Sequence, residues 1–410
     1  MNTKTIRQIF RDTDFPHVSG TPAEKQVAEY LREKCEALGA KAWLEPFPVP
    51  MAEIESAQLL ADGKEIPCKG MGLCGSGEVE GELYYMPGTD RVSVAGAKDK
   101  IVLLDALGLG RFLYQDLLKA GAKGLLFQYG NAHFPNRDID ERELRAAVVC
   151  GERKLLSAML SCAEATALVQ RGAKRVRLSV RQREYEGQSQ NVVAELPGET
   201  DEWIVLSAHY DSTPLSHGAY DNMSGCVGLL GVMEALKDAK RRFGLRFVFC
   251  GSEERGLLGS AAYVEAHAAE LEKAVLNVNL DMIGSAAGRF IACVSAEEKL
   301  VHYLTYMGAE LGFPIAAKTG VYSSDSTPFA DAGVPALSFA RLARDAVAPI
   351  HGRYDRSDVL SYERLRADIA FIAAFTRRMA CAAVCPVARE IPQKVKDELD
   401  VFLYRKRKED

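Results

Sequence analysis

The sequence predicts an α/β fold in which a mixed, mostly parallel central sheet carries helices on both faces, with a smaller α/β domain inserted. Two observations predict it. After Gln190, short uncharged apolar runs alternate with amphipathic helical segments, as they do around sheets buried on both sides. Between about residues 51 and 185 the runs are shorter and the character differs from both flanks. With 410 residues, the chain is long enough for two domains.

A helix is predicted over residues 22–39. Thr21 or Ser19 can cap it, Pro22 suits its first turn, and Gly39 ends it. Its apolar positions recur at helical spacing, at Val27, Leu31, Cys35 and Leu38. This helix belongs with the C-terminal part of the chain in the predicted domain organisation.

The segment FPVP, residues 47–50, is expected to break the local pattern, because proline interrupts regular hydrogen bonding. Beyond it, the strand-like runs GELYYM, IVLLDA and GLLFQ accompany the helical segment LYQDLLKAGAKG. We therefore predict that residues 1–50 and 186–410 form one domain, and that residues 51–185 form a smaller inserted α/β domain.

The elements of the larger domain follow in order. A strand-like run from Asn191 to Leu196 stops at Pro197-Gly198. The later elements are the strand WIVLSA, a helix near 224–239, the strand LRFVFC, a short helix near 257–270, and the strands AVLNVNL and VPALSFA. The tail VKDELDVFLYRKRKED is expected to be a charged helix or a frayed end. Strands alternating with helices indicate a mostly parallel sheet, and such sheets bind ligands at the carboxyl ends of their strands.

Composition excludes some classes of partner. Lys and Arg number 51 against 56 Asp and Glu, a formal charge of −5, so neither nucleic acid nor an anionic membrane surface is an expected partner. No apolar stretch approaches the roughly 20 residues of a membrane span, and no signal peptide is recognised at the start. Ten cysteines without a C-x-x-C motif favour buried free thiols over disulfides. We expect a cytoplasmic protein acting on a small molecule or peptide; the oligomeric state stays open.

Three predicted strands end in polar groups: WIVLSA in His209-Tyr210-Asp211, LRFVFCGS in Glu253-Glu254, and AVLNVNL in Asp281. If these strands are neighbours, the groups meet at one edge of the sheet. Several carboxylates brought together without a counter-charge repel one another and resist ionisation. Imidazole and carboxylate ligands together point to zinc or a similar first-row divalent ion.

These residues carry a resemblance to a known family. His209-x-Asp211, Asp221-Asn222, Glu253-Glu254, the Asp of NLDMIG and a late histidine resemble the M28 family of dizinc metallopeptidases, which includes leucine aminopeptidases. The resemblance implies a sheet of the phosphorylase/hydrolase-like kind seen in zinc peptidases, and two Zn²⁺ per chain. The metal ligands it implies are His209, Asp221, Glu254, Asp281 and His351, with Asp221 bridging the two ions.

The resemblance also implies the catalytic roles. Glu253 is expected to be the general base that takes a proton from a water shared by the two metals, while Asp211 orients His209. The peptide bond between Asp221 and Asn222 is expected to be cis. Gly218 and Gly225 are expected to allow the tight backbone path here. Hydrolysis of the N-terminal peptide bond of peptides is the implied reaction.

Other functions stay open at this point. The same site fits a carboxypeptidase or dipeptidase, and a glutaminyl-cyclase-like acyl transferase uses a related centre with a single zinc ion. A non-catalytic, receptor-like binding module is a further alternative. The chain has no G-x-S-x-G, P-loop or H-E-x-x-H motif, which disfavours nucleophilic hydrolases, P-loop enzymes and other zinc proteases.

Substrate contacts are the least defined part of the site. Where relatives of this family carry Ser-Asp-His before an aromatic residue, the chain has Ser326 in place of the histidine. Tyr322, Arg353 and Tyr354 are candidates to bind substrate or stabilise an oxyanion. His217 is a reserve candidate for a metal ligand.

The middle section, with AGAKDKIVLLDA and LLKAGAKGLLFQYGN, resembles the protease-associated domain found in some M28 proteins. That resemblance implies a lid that limits access to short peptides or chain ends.

Overall fold

The computed structural model describes residues 1–104, 109–134, 136–149 and 151–408. The chain divides into two compact units. Unit 1 comprises Met1–Val49 with Gln188–Phe402, and unit 2 comprises Pro50–Gly187 with Leu403–Asp410. The end of the chain therefore groups with unit 2.

The strands in chain order are β1 (Lys41–Ala61), β2 (Lys64–Ile66), β3 (Lys69–Gly70), β4 (Gly77–Met86), β5 (Lys100–Leu104), β6 (Gly124–Tyr129), β7 (Leu156–Ser161), β8 (Arg175–Leu196), β9 (Trp203–His209), β10 (Gly244–Cys250), β11 (Ala274–Leu280), β12 (Arg289–Ser295), β13 (Ala316–Thr319) and β14 (Ala336–Leu342). The α-helices are α1 (Thr3–Asp12), α2 (Pro22–Ala37), α3 (Arg91–Ala95), α4 (Arg111–Ala120), α5 (Cys162–Gln170), α6 (Ser224–Leu236), α7 (Leu258–Ala266), α8 (Glu298–Leu311), α9 (Ser326–Asp331), α10 (Tyr362–Ala380) and α11 (Gln393–Phe402).

The sheet of unit 1 has the order β13-β12-β14-β11-β9-β10-β8. The four central strands β14, β11, β9 and β10 run parallel to one another. β12 is antiparallel to β14, and β8 is antiparallel to β10. The predicted mixed, mostly parallel sheet is confirmed.

Helices cover both faces of this sheet. Along β9, Ile204 and Leu206 point into a core shared with α1, α2, α6 and α10. Val205, between them, points into the opposite core, which includes residues of α7, α9 and α11. Alternation along a strand places successive side chains on opposite faces, so a strand buried on both faces must be apolar throughout. That requirement explains the uninterrupted apolar runs in the sequence.

Helix α2 begins as the sequence predicts. The Thr21 side chain accepts a hydrogen bond from the Glu24 N–H, and Pro22 occupies the first turn. The helix ends at Ala37, and Gly39 follows with φ +88°, a left-handed conformation that glycine adopts without strain.

The expected break at FPVP is wrong. Strand β1 continues through these residues, because Pro48 lies on an exposed position while Phe47, Val49 and Met51 alternate onto the buried side. Proline is tolerated in a strand where its missing N–H is not needed for pairing. β1 pairs with β2 over Leu59–Ala61 and also pairs with β8.

Unit 2 has its own core and its own part of the sheet. Its strand order is β8-β4-β5-β6-β7-β3, and β4, β5, β6 and β7 are mutually parallel. A separate hydrophobic core includes Ile101, Val102, Leu125, Leu126 and Leu178. Unit 2 is therefore a small α/β module in its own right.

All nine cysteines within the described residues are free thiols, and five of them are buried, while Cys381 is exposed. Cys150 lies outside the described residues. Among the helices of the described part of the chain, none combines the length and apolar character needed to cross a membrane.

Candidate metal centre

The carboxyl ends of three neighbouring strands carry the predicted polar groups. β10 and β11 both pair in parallel with β9, and Cys250 at the end of β10 lies opposite His209 at the end of β9. Glu253 and Glu254 follow β10, and Asp281 follows β11 directly. Sheet topology therefore places groups distant in sequence at one edge.

His209, Asp221 and Asp281 form the first cluster. One ligand atom from each lies within 4.8 Å of the others, and all three residues are buried. His209 Nε2 lies 3.1 Å from Asp221 Oδ1 and 3.8 Å from Asp281 Oδ1. The family resemblance implies that these three side chains share a metal ion, and the structure brings them together.

Asp221, Glu254 and His351 form the second cluster, with the same 4.8 Å limit between ligand atoms. His351 Nε2 lies 3.1 Å from Asp221 Oδ2 and 3.2 Å from Glu254 Oε1. Asp221 thus faces His209 with one carboxylate oxygen and His351 with the other. A carboxylate in this orientation can bridge two cations.

Asp211 links the histidine of the first cluster to the Glu253-Glu254 segment. Its carboxylate accepts hydrogen bonds from the backbone N–H groups of Glu253, at 2.9 Å, and Glu254, at 3.2 Å. Nδ1 of His209 lies 3.2 Å from the Asp211 carbonyl oxygen and 3.6 Å from its Oδ1. The geometry therefore favours the carbonyl as the closer partner of the imidazole, and the carboxylate as the anchor of the loop after β10.

The Asp355 carboxylate holds the backbone that leads into Asp221. It accepts hydrogen bonds from the Tyr220 N–H at 2.7 Å, the Asp221 N–H at 3.3 Å and the Ser216 hydroxyl at 3.0 Å. Asp355 is fully buried. The spacing of four residues after His351 marked this aspartate in the sequence, but its partners could not be read from it.

Asn222 ties the same turn to β11. The Asp221–Asn222 peptide bond is cis, as expected. The Asn222 amide donates to the Leu280 carbonyl oxygen at 2.9 Å, and its Oδ1 accepts from the Met282 N–H at 3.0 Å. Gly225 allows helix α6 to approach closely, since a Cβ there would lie 2.4 Å from the Leu280 carbonyl oxygen. Gly218 adopts a left-handed φ of +63°.

Three non-glycine residues beside the clusters also have left-handed backbones. They are Ser252 (φ 58°), just before Glu253, Met282 (φ 63°), just after Asp281, and His351 itself (φ 59°). Such conformations are unfavourable for residues with a Cβ and concentrate at functional sites. Hydrogen bonding around the clusters holds the backbone in them.

The electrostatics of the clusters require a positive counter-charge. Burial raises the pKa of Glu253 well above its usual value, and the neighbouring Glu254, Asp325 and Asp281 carboxylates raise it further against the opposing effect of His209. Burial alone would lower the pKa of His209, but Glu253 and the other surrounding carboxylates raise it well above its usual value. The raised pKa values mean that bound protons balance the negative charge of these side chains, as metal cations would.

The donor set fits divalent metal ions. Within the described residues, the buried Oδ1 of Asp281 has no hydrogen-bond partner. Each cluster offers imidazole nitrogen and carboxylate oxygen, the ligand types that zinc takes in catalytic sites. Two dications would neutralise the three ligand carboxylates and leave one positive charge for a bound anion.

The negative charge of the clusters affects the ionisation of Tyr322. Burial raises the pKa of its phenol, and the Asp281 and Asp221 carboxylates raise it further, so the hydroxyl stays protonated and can donate. Arg353 is exposed and Tyr354 is half-buried, and both follow shortly after His351 in the sequence. Among the predicted substrate contacts, Tyr322 is thus influenced by the charge of the clusters.

Ser326 turns away from solvent and joins a buried network. Its hydroxyl lies 2.7 Å from that of Ser338 on β14. The Asn279 amide on β11 donates to Ser338 at 3.2 Å and to Ser324 at 2.8 Å. Hydrogen bonds therefore fasten the start of α9 to the sheet, and Ser326 serves this network.

Other titratable groups lie outside the clusters. His217, the reserve candidate, has its Nδ1 2.7 Å from Asp14 and belongs to neither cluster. Sequence reasoning passed over His17, whose pKa burial lowers to about 4. It also passed over Glu24, whose pKa burial raises to about 8. His17 stands in no motif, and Glu24 holds the last position of the Thr-x-x-Glu pattern at the start of α2, which does not indicate burial, so only tertiary packing reveals that both are buried.

Comparison with known proteins places these features in context. Residues 191–376 match the profile of Peptidase family M28. Over 378 residues the chain is 28% identical to aminopeptidase YwaD of Bacillus subtilis (strain 168), covering 86% of this chain and 78% of that protein. A shorter match, 42% identical over 97 residues, relates it to leucine aminopeptidase 2 of Trichophyton equinum and covers 23% of this chain and 20% of that protein.

A solved structure shares the fold. BSAP, a zinc aminopeptidase from Bacillus subtilis, superposes with a TM-score of 0.74 at 24% sequence identity, covering 96% of this chain and 97% of that chain. The superposition shows that the fold has a known counterpart.

Proposed function

We propose that the chain is a metal-dependent aminopeptidase of the M28 type, whose family profile residues 191–376 match, and that it removes N-terminal residues from peptides with two zinc ions and Glu253 as general base. The observation that carries the proposal is the pair of ligand clusters that share Asp221. One ion would be held by His209 and Asp281 and the other by Glu254 and His351, with Asp221 shared between them. Two ions so held would polarise a peptide carbonyl and make a water acidic near neutral pH.

The position of Glu253 supports its proposed role in moving the proton. Its Oε2 lies 4.0 Å from His209 Nε2, beside the first cluster, and its side chain is 13% exposed. A carboxylate at this position can accept a proton from the attacking water and deliver it to the departing amine. The bond between the carbonyl carbon and the amide nitrogen breaks as that proton arrives.

The Tyr322 hydroxyl is our candidate to stabilise the negative charge that develops on the carbonyl oxygen. It stays protonated in this acidic surrounding and so can donate a hydrogen bond. Arg353 and Tyr354, which flank the turn after His351, are the candidates to contact the substrate chain.

The alternatives differ in measurable properties. A glutaminyl-cyclase-like enzyme would hold one zinc ion, whereas Asp221 facing two histidines favours two. A receptor-like module would lack ligands, yet each cluster has its full set of three donors. A carboxypeptidase or dipeptidase would use the same metal site and differ only in which substrate end it recognises.

The deciding experiment is a substrate screen on the zinc-loaded full-length chain. We expect hydrolysis of aminoacyl anilides and carboxyl-blocked peptides, and none of amine-blocked peptides with a free carboxylate. Glu253→Gln should lower kcat by about 10²-fold or more while the zinc content stays at two per chain. Glu265→Gln, an exposed change on α7, is the matched control.

Each contrary result has a meaning. Activity retained in Glu253→Gln would refute the assigned base. Preference for amine-blocked peptides would assign the chain to carboxypeptidases, and one zinc ion per chain would favour the cyclase-like alternative. The cytoplasmic location and the lid role of residues 51–185 remain predictions.

A further inference from the structure

Unit 2 contains a cavity that the proposed peptidase reaction does not use. Its volume is about 450 Å³, within the range of small-molecule sites. It lies at the carboxyl edge of the parallel strands β5, β6 and β7. Leu104 ends β5, Phe127 and Tyr129 belong to the end of β6, and Met159 comes from β7. Open parallel sheets bind ligands at this edge.

The cavity combines an apolar interior with a charged rim. Five of its lining residues are buried and apolar: Met71, Leu104, Leu144, Val148 and Met159. The charged lining residues are Arg142, Glu143 and Arg145, and Asp140 beside Arg142 supplies a second negative charge, so two arginines are balanced by two carboxylates. Nε of Arg142 donates to Asp140 at 2.5 Å, and that carboxylate is fully buried. The ion pair fixes the position of the Arg142 guanidinium group.

The end of the chain supplies another wall. Tyr404 lines the cavity and packs against the start of α4, where a Cβ on Gly110 would lie 3.1 Å from its ring. Two hydrogen bonds from Arg407 to Asp116 on α4, of 2.7 and 3.0 Å, hold the same segment in place. Tyr404 therefore forms part of the cavity wall, and Arg407 anchors the segment that carries it.

From these features we infer that the unit 2 cavity binds a small carboxylic acid with an apolar body. The apolar interior receives the body, and the arginine pair on the rim binds the carboxylate. Glu143 stands on the same rim, where it suits an ammonium group. Apolar amino acids, the products of an aminopeptidase, belong to this class. Only this identification of the source rests on the proposed function; the binding itself does not.

The test is calorimetry on the full-length chain with three matched probes, both with zinc and after chelation. L-phenylalanine carries both charged groups, 3-phenylpropanoate lacks the amine, and L-phenylalaninamide lacks the carboxylate. We expect saturable binding of the two acids to the chelated chain, and at least tenfold weaker binding of the amide. Chelation removes the metal centre as a competing site, so peptidase activity plays no part in the result.

Variants locate the binding. Leu104→Trp, which fills the interior, and Arg145→Gln, which removes an exposed rim charge, should each weaken binding of the acids about tenfold. Arg145 is preferred to Arg142, whose loss would leave Asp140 buried without its partner. Tyr404→Ala, at the terminal segment, should also weaken binding, whereas Arg183→Gln, on the surface of unit 2, should leave it unchanged.

The outcomes are distinct. No saturable binding of either acid, equal binding in Leu104→Trp, or equal affinity for acid and amide would overturn the inference. Tighter binding of phenylalanine than of 3-phenylpropanoate would support an amino acid as the ligand; the reverse order would support simple carboxylic acids and overturn the link to the peptidase product. Failure of the peptidase assay would leave these results untouched.

Discussion

The buried residue Asp211 positions other residues of the site although it belongs to neither ligand cluster. Its carboxylate fastens the backbone of Glu253 and Glu254, and its carbonyl oxygen lies closest to the His209 imidazole. One residue thus sets the relative positions of a base and a ligand from each cluster. In an asparagine at this position, one of the two oxygens that accept these hydrogen bonds would be replaced by an NH2 group, a donor facing a backbone N–H.

The buried carboxyl group of the single residue Glu24 makes the stability of the protein depend on pH. It is fully buried on α2, where it accepts hydrogen bonds from Ser189 at 2.6 Å and from the Gly20 N–H at 2.7 Å. Burial raises its pKa from 4.5 to about 8. Between these values the folded state keeps a proton that the unfolded chain loses. Its contribution to stability is therefore full below pH 4.5 and falls as the pH rises to 8.

We predict that Glu24→Gln removes this slope, since the amide is neutral at every pH. As the pH rises from 4.5 to 8, the free energy of unfolding of the variant should increase relative to that of the parent by on the order of 5 kcal/mol. Urea unfolding at pH 5, 6.5 and 8, followed by the fluorescence of Trp43 and Trp203, measures this in unit 1. Glu33→Gln, exposed on the same helix, is the control. Parallel stability curves for parent and Glu24→Gln would refute the prediction.

At the scale of elements, the close approach of α6 to β11 positions the Asp221 turn. A Cβ on Gly225 would lie 2.4 Å from the Leu280 carbonyl oxygen and 2.5 Å from Asn222 Oδ1. One turn later, a Cβ on Gly228 would meet Leu280 Cδ2 at 2.5 Å and Ile283 Cδ1 at 2.8 Å, the ends of flexible side chains. The first contact involves backbone, which cannot rotate away.

We therefore expect Gly225→Ala to lower the free energy of unfolding by about 3 kcal/mol or more, and to weaken zinc binding because Asp281 follows Leu280. Gly228→Ala should cost distinctly less, since side chains can shift and alanine favours a helix by about 1 kcal/mol. Chemical unfolding and zinc titration of both variants test the contrast. Equal effects would mean that α6 moves freely relative to β11.

The same elements show what the sequence could predict. The apolar runs of β9, β10 and β11 are recognisable because both faces are buried, and helix α2 is recognisable from its cap and proline. The break predicted at residues 47–50 does not occur in strand β1, because prolines on the exposed side of a strand do not prevent the residues of the other side from pairing. Propensity describes single residues, whereas this strand depends on which side its neighbours cover.

At the scale of the whole molecule, the candidate site was predictable only in part from spacing. Strand ends identified His209, Glu253 and Asp281, because topology brings the ends of parallel strands together. His351 follows a turn rather than a strand, and only the family resemblance singled it out. The hydrogen bonds of Asn222 and the burial of Glu24 depend on contacts across the fold, which no local pattern encodes.

The division into two units leads to a last prediction. All five candidate ligands lie in unit 1, which has its own hydrophobic cores. Replacing residues 50–187 by a glycine–serine linker should therefore leave two zinc ions bound and small aminoacyl anilides hydrolysed.

If residues 51–185 limit access, as their resemblance to a protease-associated domain implies, the shortened chain should cleave long peptides and folded proteins faster relative to small substrates. The ratio of kcat/KM for a long peptide to that for an aminoacyl anilide, compared between the two chains, measures the effect. An unchanged ratio, or rapid cleavage of folded proteins by the full-length chain, would contradict a lid. Loss of zinc from the shortened chain would instead show that unit 1 needs unit 2 to fold, since no ligand has been removed.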